Sequence, residues 1–305
     1  MFLSHRNLVA LFSFSLLGIA ELFSWSKELP VPSCYLIVEA TSGMVLESSG
    51  EKWLETPLPI GSLIKPFTCL AAIETDRKLA SLVLVCTPTS PSLPCLDGCW
   101  FRAGHGSLNM EQALSVSCDR YFRYLAERTS PFHWKNVLKR YGLYEKEEET
   151  EILSAMVGTS EKLKAIPVKI LCAYLALGTE LLYDYQSKPV PGKKLPLQGP
   201  AFLDEEARRI ISGGLAGCLS WGTGSNPLSI GESRLAGKTG TSSFAIKNLK
   251  HSLPTCGWFA GYWPEKHPRL GIVVFLLEGR GQDAAIAACH LISEARKKYL
   301  PVKSE

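Results

Sequence analysis

Leu270-Gly271-Ile272-Val273-Val274-Phe275-Leu276-Leu277 is an apolar run rich in β-branched and aromatic side chains, and it reads as a strand. Upstream, Gly257-Trp258-Phe259-Ala260-Gly261-Tyr262-Trp263 and Arg234-Leu235-Ala236-Gly237-Lys238 also read as strands, and Asp283 to Leu300 follows as a closing helix. At the opposite end, Cys34 to Glu39 and Met44 to Glu47 flank the turn Thr41-Ser42-Gly43, which predicts a hairpin. Between these ends the pattern turns helical. From Leu63 to Glu74, the residues Leu63, Phe67, Leu70 and Ala71 fall near one face, and helices are predicted again at Met110 to Arg128, His133 to Tyr141, Ile166 to Gly178 and Asp204 to Leu219. The expected fold is α/β (α+β). An antiparallel sheet is assembled from both chain ends and covered by the first and last helices, and a mostly helical subdomain is inserted over about residues 75–215.

The 305 residues suit one large domain or two closely joined subdomains, with no internal repeat and no low-complexity stretch. The 33 basic and 29 acidic side chains are interspersed, so the net charge of +4 forms no stripe or polybasic tail and no nucleic-acid partner is expected. Met1 to Arg6 is short and basic, Leu8 to Leu17 is apolar, and Gly18-Ile19-Ala20 ends in a small-x-small pattern. Residues 1–20 therefore read as a secretory signal peptide, with the mature chain starting near Glu21. An uncleaved membrane anchor is the alternative, although Glu21 interrupts the run before it reaches the roughly 20 apolar residues of a span. Either way the expected location is the periplasm or the outer face of the cytoplasmic membrane.

Three short motifs carry chemistry. In Ser62-Leu63-Ile64-Lys65, at the start of the first predicted helix, the spacing of three places hydroxyl and amine on one helical face. A neutral lysine there can take the serine proton and make it a nucleophile. On its own this motif is weak, because a capped helix with a solvated lysine gives the same letters. Lys238-Thr239-Gly240-Thr241 ends a predicted strand, with Lys238 and Gly240 facing one way and Thr239 and Thr241 the other. The bare Gly240 lets a neighbouring helix or ligand come close. Ser117-Cys118-Asp119 lies between the other two in chain order, inside the helical region.

The ordered set S-x-x-K, S-x-[ND], K-T-G resembles that of the serine acyl-transferases that include penicillin-binding proteins and active-site serine β-lactamases. The likeness covers roughly Cys34 to Glu294. Gly61-Ser62-Leu63-Ile64-Lys65-Pro66-Phe67-Thr68 is similar to the corresponding stretch of class B transpeptidases, with Ile60 where a proline is usual. Gly104-His105-Gly106, Ser117-Cys118-Asp119-Arg120-Tyr121-Phe122, Gly222-Thr223-Gly224 and Gly257-Trp258-Phe259-Ala260-Gly261-Tyr262 are similar to elongation-type members. The resemblance implies a penicillin-binding transpeptidase domain over residues 30–305. It would act as a peptidoglycan D,D-transpeptidase or D,D-carboxypeptidase on D-Ala-D-Ala stem peptides, without a catalytic cofactor. Ser62 would be acylated and Lys65 would be its base, while Ser117 and Lys238 would relay the proton to the leaving nitrogen. Thr239, Gly240 and Thr241 would line the carboxylate site, with Lys238 assisting, and the backbone N–H groups of Ser62 and Thr241 would form the oxyanion hole. Asp119 stands where asparagine is commoner. If ionised beside Lys65 it would favour the ammonium, so it is expected either to turn away or to share protons with the cluster. Implied partners are stem peptides, β-lactams and other cell-wall synthesis proteins.

Two other functions stay open on the sequence. A class D-like β-lactamase or β-lactam sensor shares much of the pattern but carries an apolar residue at the place of Asp119. A non-catalytic cell-wall-binding scaffold would keep the fold, and the intact Ser62, Lys65, Ser117 and Lys238 speak against it.

Six of the ten cysteines, Cys34, Cys69, Cys172, Cys218, Cys256 and Cys289, sit singly in apolar or small-residue surroundings. Cys86, Cys99, His105 and Cys118 form a C-x12-C-x5-H-x12-C pattern that suits a closed tetrahedral zinc site. Elongation-type relatives carry ligands in this loop, and Cys118 would fasten the metal to the Ser117 motif. A Cys86–Cys99 or Cys95–Cys99 disulfide competes with this reading, and Cys95 is a possible substitute ligand.

Overall fold

The computed structural model describes residues 30–88, 98–144, 151–185, 188–226, 228, 234–243 and 255–300. The proposed signal peptide over 1–20 and Cys95 lie outside these residues. Five strands form the central sheet: β1 (Cys34–Glu39), β2 (Val45–Ser49), β3 (Ala236–Ser243), β4 (Thr255–Trp263) and β5 (Leu270–Leu276). Their order is β2-β1-β5-β4-β3, antiparallel throughout. The two chain ends meet at its centre, where Cys34 opposes Phe275 and Glu39 opposes Leu270. Strand β3 is left as an edge.

Helices α1 (Lys65–Thr75), α2 (Met110–Ser115), α3 (Asp119–Ala126), α4 (Pro131–Arg140), α5 (Pro167–Thr179) and α6 (Glu205–Ser220) fill the inserted region, and α7 (Gly281–Tyr299) closes the chain. The period of two along β1 splits the core between the sheet faces. Leu36 and Val38 join the larger core with Phe67, Tyr174, Trp258 and Phe275, whereas Ile37 joins Phe259, Ile272, Val274 and the alanines of α7. Small residues on α7, among them Ala284, Ala285 and Ala288, let that helix lie close on the sheet.

The expectation that the first and last helices cover the sheet holds only for the last. The opposite face carries α5, whose residues Ile170 to Leu177 are buried on every side. A helix apolar all round is a buried helix, which explains its place between sheet and insertion. The first helix meets the sheet chiefly through the 3-10 turn Gly61–Ile64 that precedes it. The single helix expected over Met110 to Arg128 is two, broken at Val116-Ser117-Cys118. The inserted region also holds three two-stranded ribbons, pairing Leu58–Pro59 with Lys164–Ala165, Val83–Cys86 with Gly106–Asn109, and Leu181–Tyr183 with Leu197–Pro200. No helix among the described residues is long and apolar enough to cross a membrane.

Candidate active site

Ser62 sits in the 3-10 turn, one residue past Gly61, whose φ of 56° suits glycine. A side chain at Gly61 would meet the Thr241 carbonyl at 2.8 Å, so the turn and β3 are pressed together. Pins hold the turn in place: Pro59 O accepts from Trp258 Nε1 and from Ser242 Oγ, each at 3.0 Å, and Leu63 O accepts from Tyr174 Oη at 2.8 Å. Pro66 occupies the first turn of α1, where a missing N–H costs nothing.

Lys65 is fully buried and its Nζ is the hub of the site. It stands 3.0 Å from Ser62 Oγ, 3.0 Å from Ser117 Oγ, 3.0 Å from Ser117 O and 2.6 Å from Asp119 Oδ1. Asp119 is therefore turned towards the amine. Its place in the first turn of α3 also suits a negative charge. The Phe122 ring lies 5.3 Å from the same ammonium. Ser117 occupies the break between α2 and α3 at a left-handed φ of 53°, with its N–H on Leu114 O and the N–H of Cys118 on Ala113 O. That kink aims both the hydroxyl and the carbonyl of Ser117 at Lys65.

The Lys238-Thr239-Gly240-Thr241 segment lies well inside β3, which runs on to Ser243 instead of ending at the motif. Pairing with β4 sets its faces, through Ala260 opposite Lys238 and Gly257 opposite Thr241. As the alternation requires, a side chain at Gly240 would meet Ile60 O at 2.9 Å, on the side of the Ser62 turn. Thr239 and Thr241 face the other way: Thr239 Oγ1 shares a 2.5 Å hydrogen bond with Thr223, and Thr241 Oγ1 accepts from Gly281 N at 3.1 Å. Lys238 is fully buried and donates to Thr239 O at 3.1 Å. Desolvation pushes its ammonium down to about 8; Cys218 opposes that shift and the charge of Lys65 adds to it.

A cleft of about 610 Å³ opens over these groups, lined by Ser62, Ser117, Asp119, Thr223, Thr239 and Thr241 together with Trp100, Ser160, Arg280 and Gln282. Lys65 and Lys238 lie behind its wall. Trp100, Ser160, Arg280 and Gln282 were not singled out from sequence; they come from loops and a helix start that no local pattern marks.

Beside Ser117 the Sγ atoms of Cys86, Cys99 and Cys118 and a nitrogen of His105 all lie within 4.8 Å of one another. His105 Nδ1 is 3.6 Å from Cys86 Sγ and 3.4 Å from Cys99 Sγ, and Cys99 and Cys118 are 3.9 Å apart. Tetrahedral zinc with ordinary bond lengths separates two sulfurs by about 3.8 Å and sulfur from nitrogen by about 3.5 Å. The four side chains fit that ion. The Cys86–Cys99 disulfide is not formed, since both are free thiols, as are the other described cysteines.

The penicillin binding protein transpeptidase domain, as a family model, matches residues 34–291. Among individual proteins, the peptidoglycan D,D-transpeptidase MrdA of Haemophilus influenzae is 26% identical over 281 residues, covering 75% of this chain and 42% of that protein. The chain thus spans less than half the length of that relative. A penicillin-binding protein, PBP2, solved in complex with MreC from Helicobacter pylori, superimposes with a TM-score of 0.71 at 18% identity, over 87% of this chain and 60% of that one. The apo TP domain of Burkholderia pseudomallei penicillin-binding protein 3 gives 0.68 at 18% identity, over 89% and 90%.

Proposed function

This chain belongs to the penicillin-binding protein transpeptidase domain family, and from that premise we propose that it is a peptidoglycan D,D-transpeptidase or D,D-carboxypeptidase of the elongation type. The observation that carries the reading is the 3.0 Å approach of Lys65 Nζ to Ser62 Oγ at the floor of an open cleft. Ser62 attacks the carbonyl of the penultimate D-alanine while Lys65, neutral once its third proton is shared into the cluster that Asp119 joins at 2.6 Å, takes the hydroxyl proton. Backbone N–H groups of Ser62 and Thr241 hold the developing oxyanion, an effect worth on the order of several kcal/mol. The close packing of Gly61 against Thr241 supports that pairing. The proton then passes through Ser117 and Lys238 to the departing D-alanine nitrogen, and the acyl group goes on to an acceptor amine or to water. Thr239 and Thr241 receive the terminal carboxylate, and Lys238 contributes its charge from behind the strand.

A zinc ion held by Cys86, Cys99, His105 and Cys118 is part of the proposal. Four protein ligands close the shell, so the ion supplies structural support and no site for substrate. Cys118 lies between Ser117 and Asp119, and a metal there fixes both. Stem peptides and β-lactams are the proposed ligands, other cell-wall synthesis proteins the proposed partners, and export to the periplasm or the outer face of the cytoplasmic membrane the proposed location. The Helicobacter pylori relative, solved in complex with MreC, is in keeping with such partners.

Incubation of the purified chain with a fluorescent penicillin, followed by chase, tests the activity. Lasting label on Ser62, absent from Ser62→Ala, is expected. Rapid release of the label points to a β-lactamase instead, and no label at all to a scaffold.

A further inference from the structure

The Ser117 carbonyl has two donors. Lys65 Nζ reaches it at 3.0 Å, and the indole Nε1 of Trp100 also donates to it at 3.0 Å. Ser117 is only 5% exposed and its φ of 53° is one that a residue with a side chain keeps when its surroundings enforce it. Trp100 is itself placed from both sides. It follows Cys99, whose sulfur is in the thiol and imidazole cluster, and its ring stacks edge-on with His105 at 5.5 Å. Trp100 as a residue is 56% exposed, and its ring is the one aromatic surface among the described residues lining the cleft.

The protons around Lys65 explain why the second donor matters. Its Nζ faces four oxygens: Ser62 Oγ, Ser117 Oγ, Ser117 O and Asp119 Oδ1. An ammonium has three protons and a neutral amine two. To take the Ser62 proton the amine must turn its lone pair to that hydroxyl, which leaves two protons for three remaining oxygens. One acceptor loses its donor, and a buried acceptor without one is costly. Ser117 O is the oxygen among the three to which another side chain already donates.

We infer that Trp100 is a positioning residue for acyl transfer, holding the Ser117 carbonyl with its indole N–H so that Lys65 is free to serve Ser62, and walling the cleft with its ring. The inference rests on Ser62 being the acylated nucleophile.

Stopped-flow labelling with the fluorescent penicillin separates the acylation rate constant from the dissociation constant of the complex that precedes it. Three replacements divide the two roles. In Trp100→Phe the N–H is lost and a ring is kept; in Trp100→Ala both are lost. Benzothienylalanine introduced at position 100 keeps the shape of the indole and replaces the N–H by sulfur. The acylation rate constant is expected to fall about five- to tenfold in all three, the loss of one hydrogen bond in the reacting state. The dissociation constant is expected to stay within about twofold for the benzothienyl chain and to weaken further for alanine, with unfolding midpoints near that of the parent. A benzothienyl chain that acylates at the parental rate overturns the inference while leaving the transpeptidase reading intact. Failure of the parent chain to label at Ser62 removes that reading, and the inference with it.

Discussion

Asp119 Oδ1 lies 2.6 Å from Lys65 Nζ, an ion pair in which the lysine side chain is fully buried and the carboxylate 21% exposed. Lys238 is buried in the same cluster and feels both charges, lowered by Lys65 and raised by Asp119. One carboxylate thus contacts one buried amine and acts through its charge on a second. Removing one partner of a buried pair strands the other, a loss of about 3 kcal/mol or more. Asp119→Leu is expected to lose about that much stability in urea unfolding and Asp119→Asn, which keeps an acceptor at the same place, about half. A leucine variant as stable as the parent would show that Asp119 is not the counter-ion of the site.

Lys238 makes stability depend on pH. Its folded value of about 8 lies below the 10.5 of an exposed lysine, so above pH 8 the folded chain gives up this proton before the unfolded chain does. Where the unfolded state binds more protons, stability rises with pH. The cost of burying the cation is therefore present in full below pH 8 and is relieved between about 8 and 10.5, to a total of roughly 3 kcal/mol. Lys238→Met removes the titrating group. The variant is expected to be more stable than the parent at pH 7, with the difference shrinking as the pH approaches 10. A difference that stays flat over that window contradicts the buried cation.

Gly240→Ala tests the contact between β3 and the turn that carries Ser62. The added methyl would stand 2.9 Å from Ile60 O and 3.1 Å from Leu63 Cγ, and the first of these is backbone that cannot rotate away. Overpacking of this kind costs about 1–3 kcal/mol, and here it displaces the segment that carries Ser62. Penicillin acylation is expected to slow by at least about tenfold. A variant that folds and acylates like the parent would mean that the turn is looser than its contacts imply.

For the metal, elemental analysis of chain purified without a histidine tag is expected to find about one zinc per molecule, lost in Cys99→Ser. Chelation should lower the unfolding midpoint of the parent and leave Cys99→Ser unchanged. Metal-free protein with these thiols oxidised would refute the site.

The strands and most helices were legible because their apolar periods are strong: β1, β4 and β5 fall within a few residues of the expected spans. The covering helix was misassigned because α5 is apolar on all sides and so shows no preferred face. The break at Ser117 left no local mark. Val116-Ser117-Cys118 holds neither glycine nor proline, and its left-handed residue is stabilised by Lys65 and Trp100, which are distant in sequence. Likewise Lys238-Thr239-Gly240-Thr241 resembles a strand end because its lysine and glycine are poor strand formers, and pairing with β4 overrides that preference. The motifs named three segments that the fold brings to one cleft, but the side on which Asp119 lies was settled only by the geometry of α3.

The pairing of Cys34 with Phe275 joins segments that are made at opposite times. Strand β3, which carries Lys238 and Thr241, is held by β4, β4 by β5, and β5 by β1. A growing chain has already synthesised Ser62, Lys65 and Ser117 while the strands that complete the site are still missing. Contacts of such long sequence separation form late and slowly. On the proposed assignment Ser62 is thus born inactive: its reactivity would switch on only when the last strand docks, and a chain interrupted before residue 270 would carry every proposed catalytic side chain without a working centre.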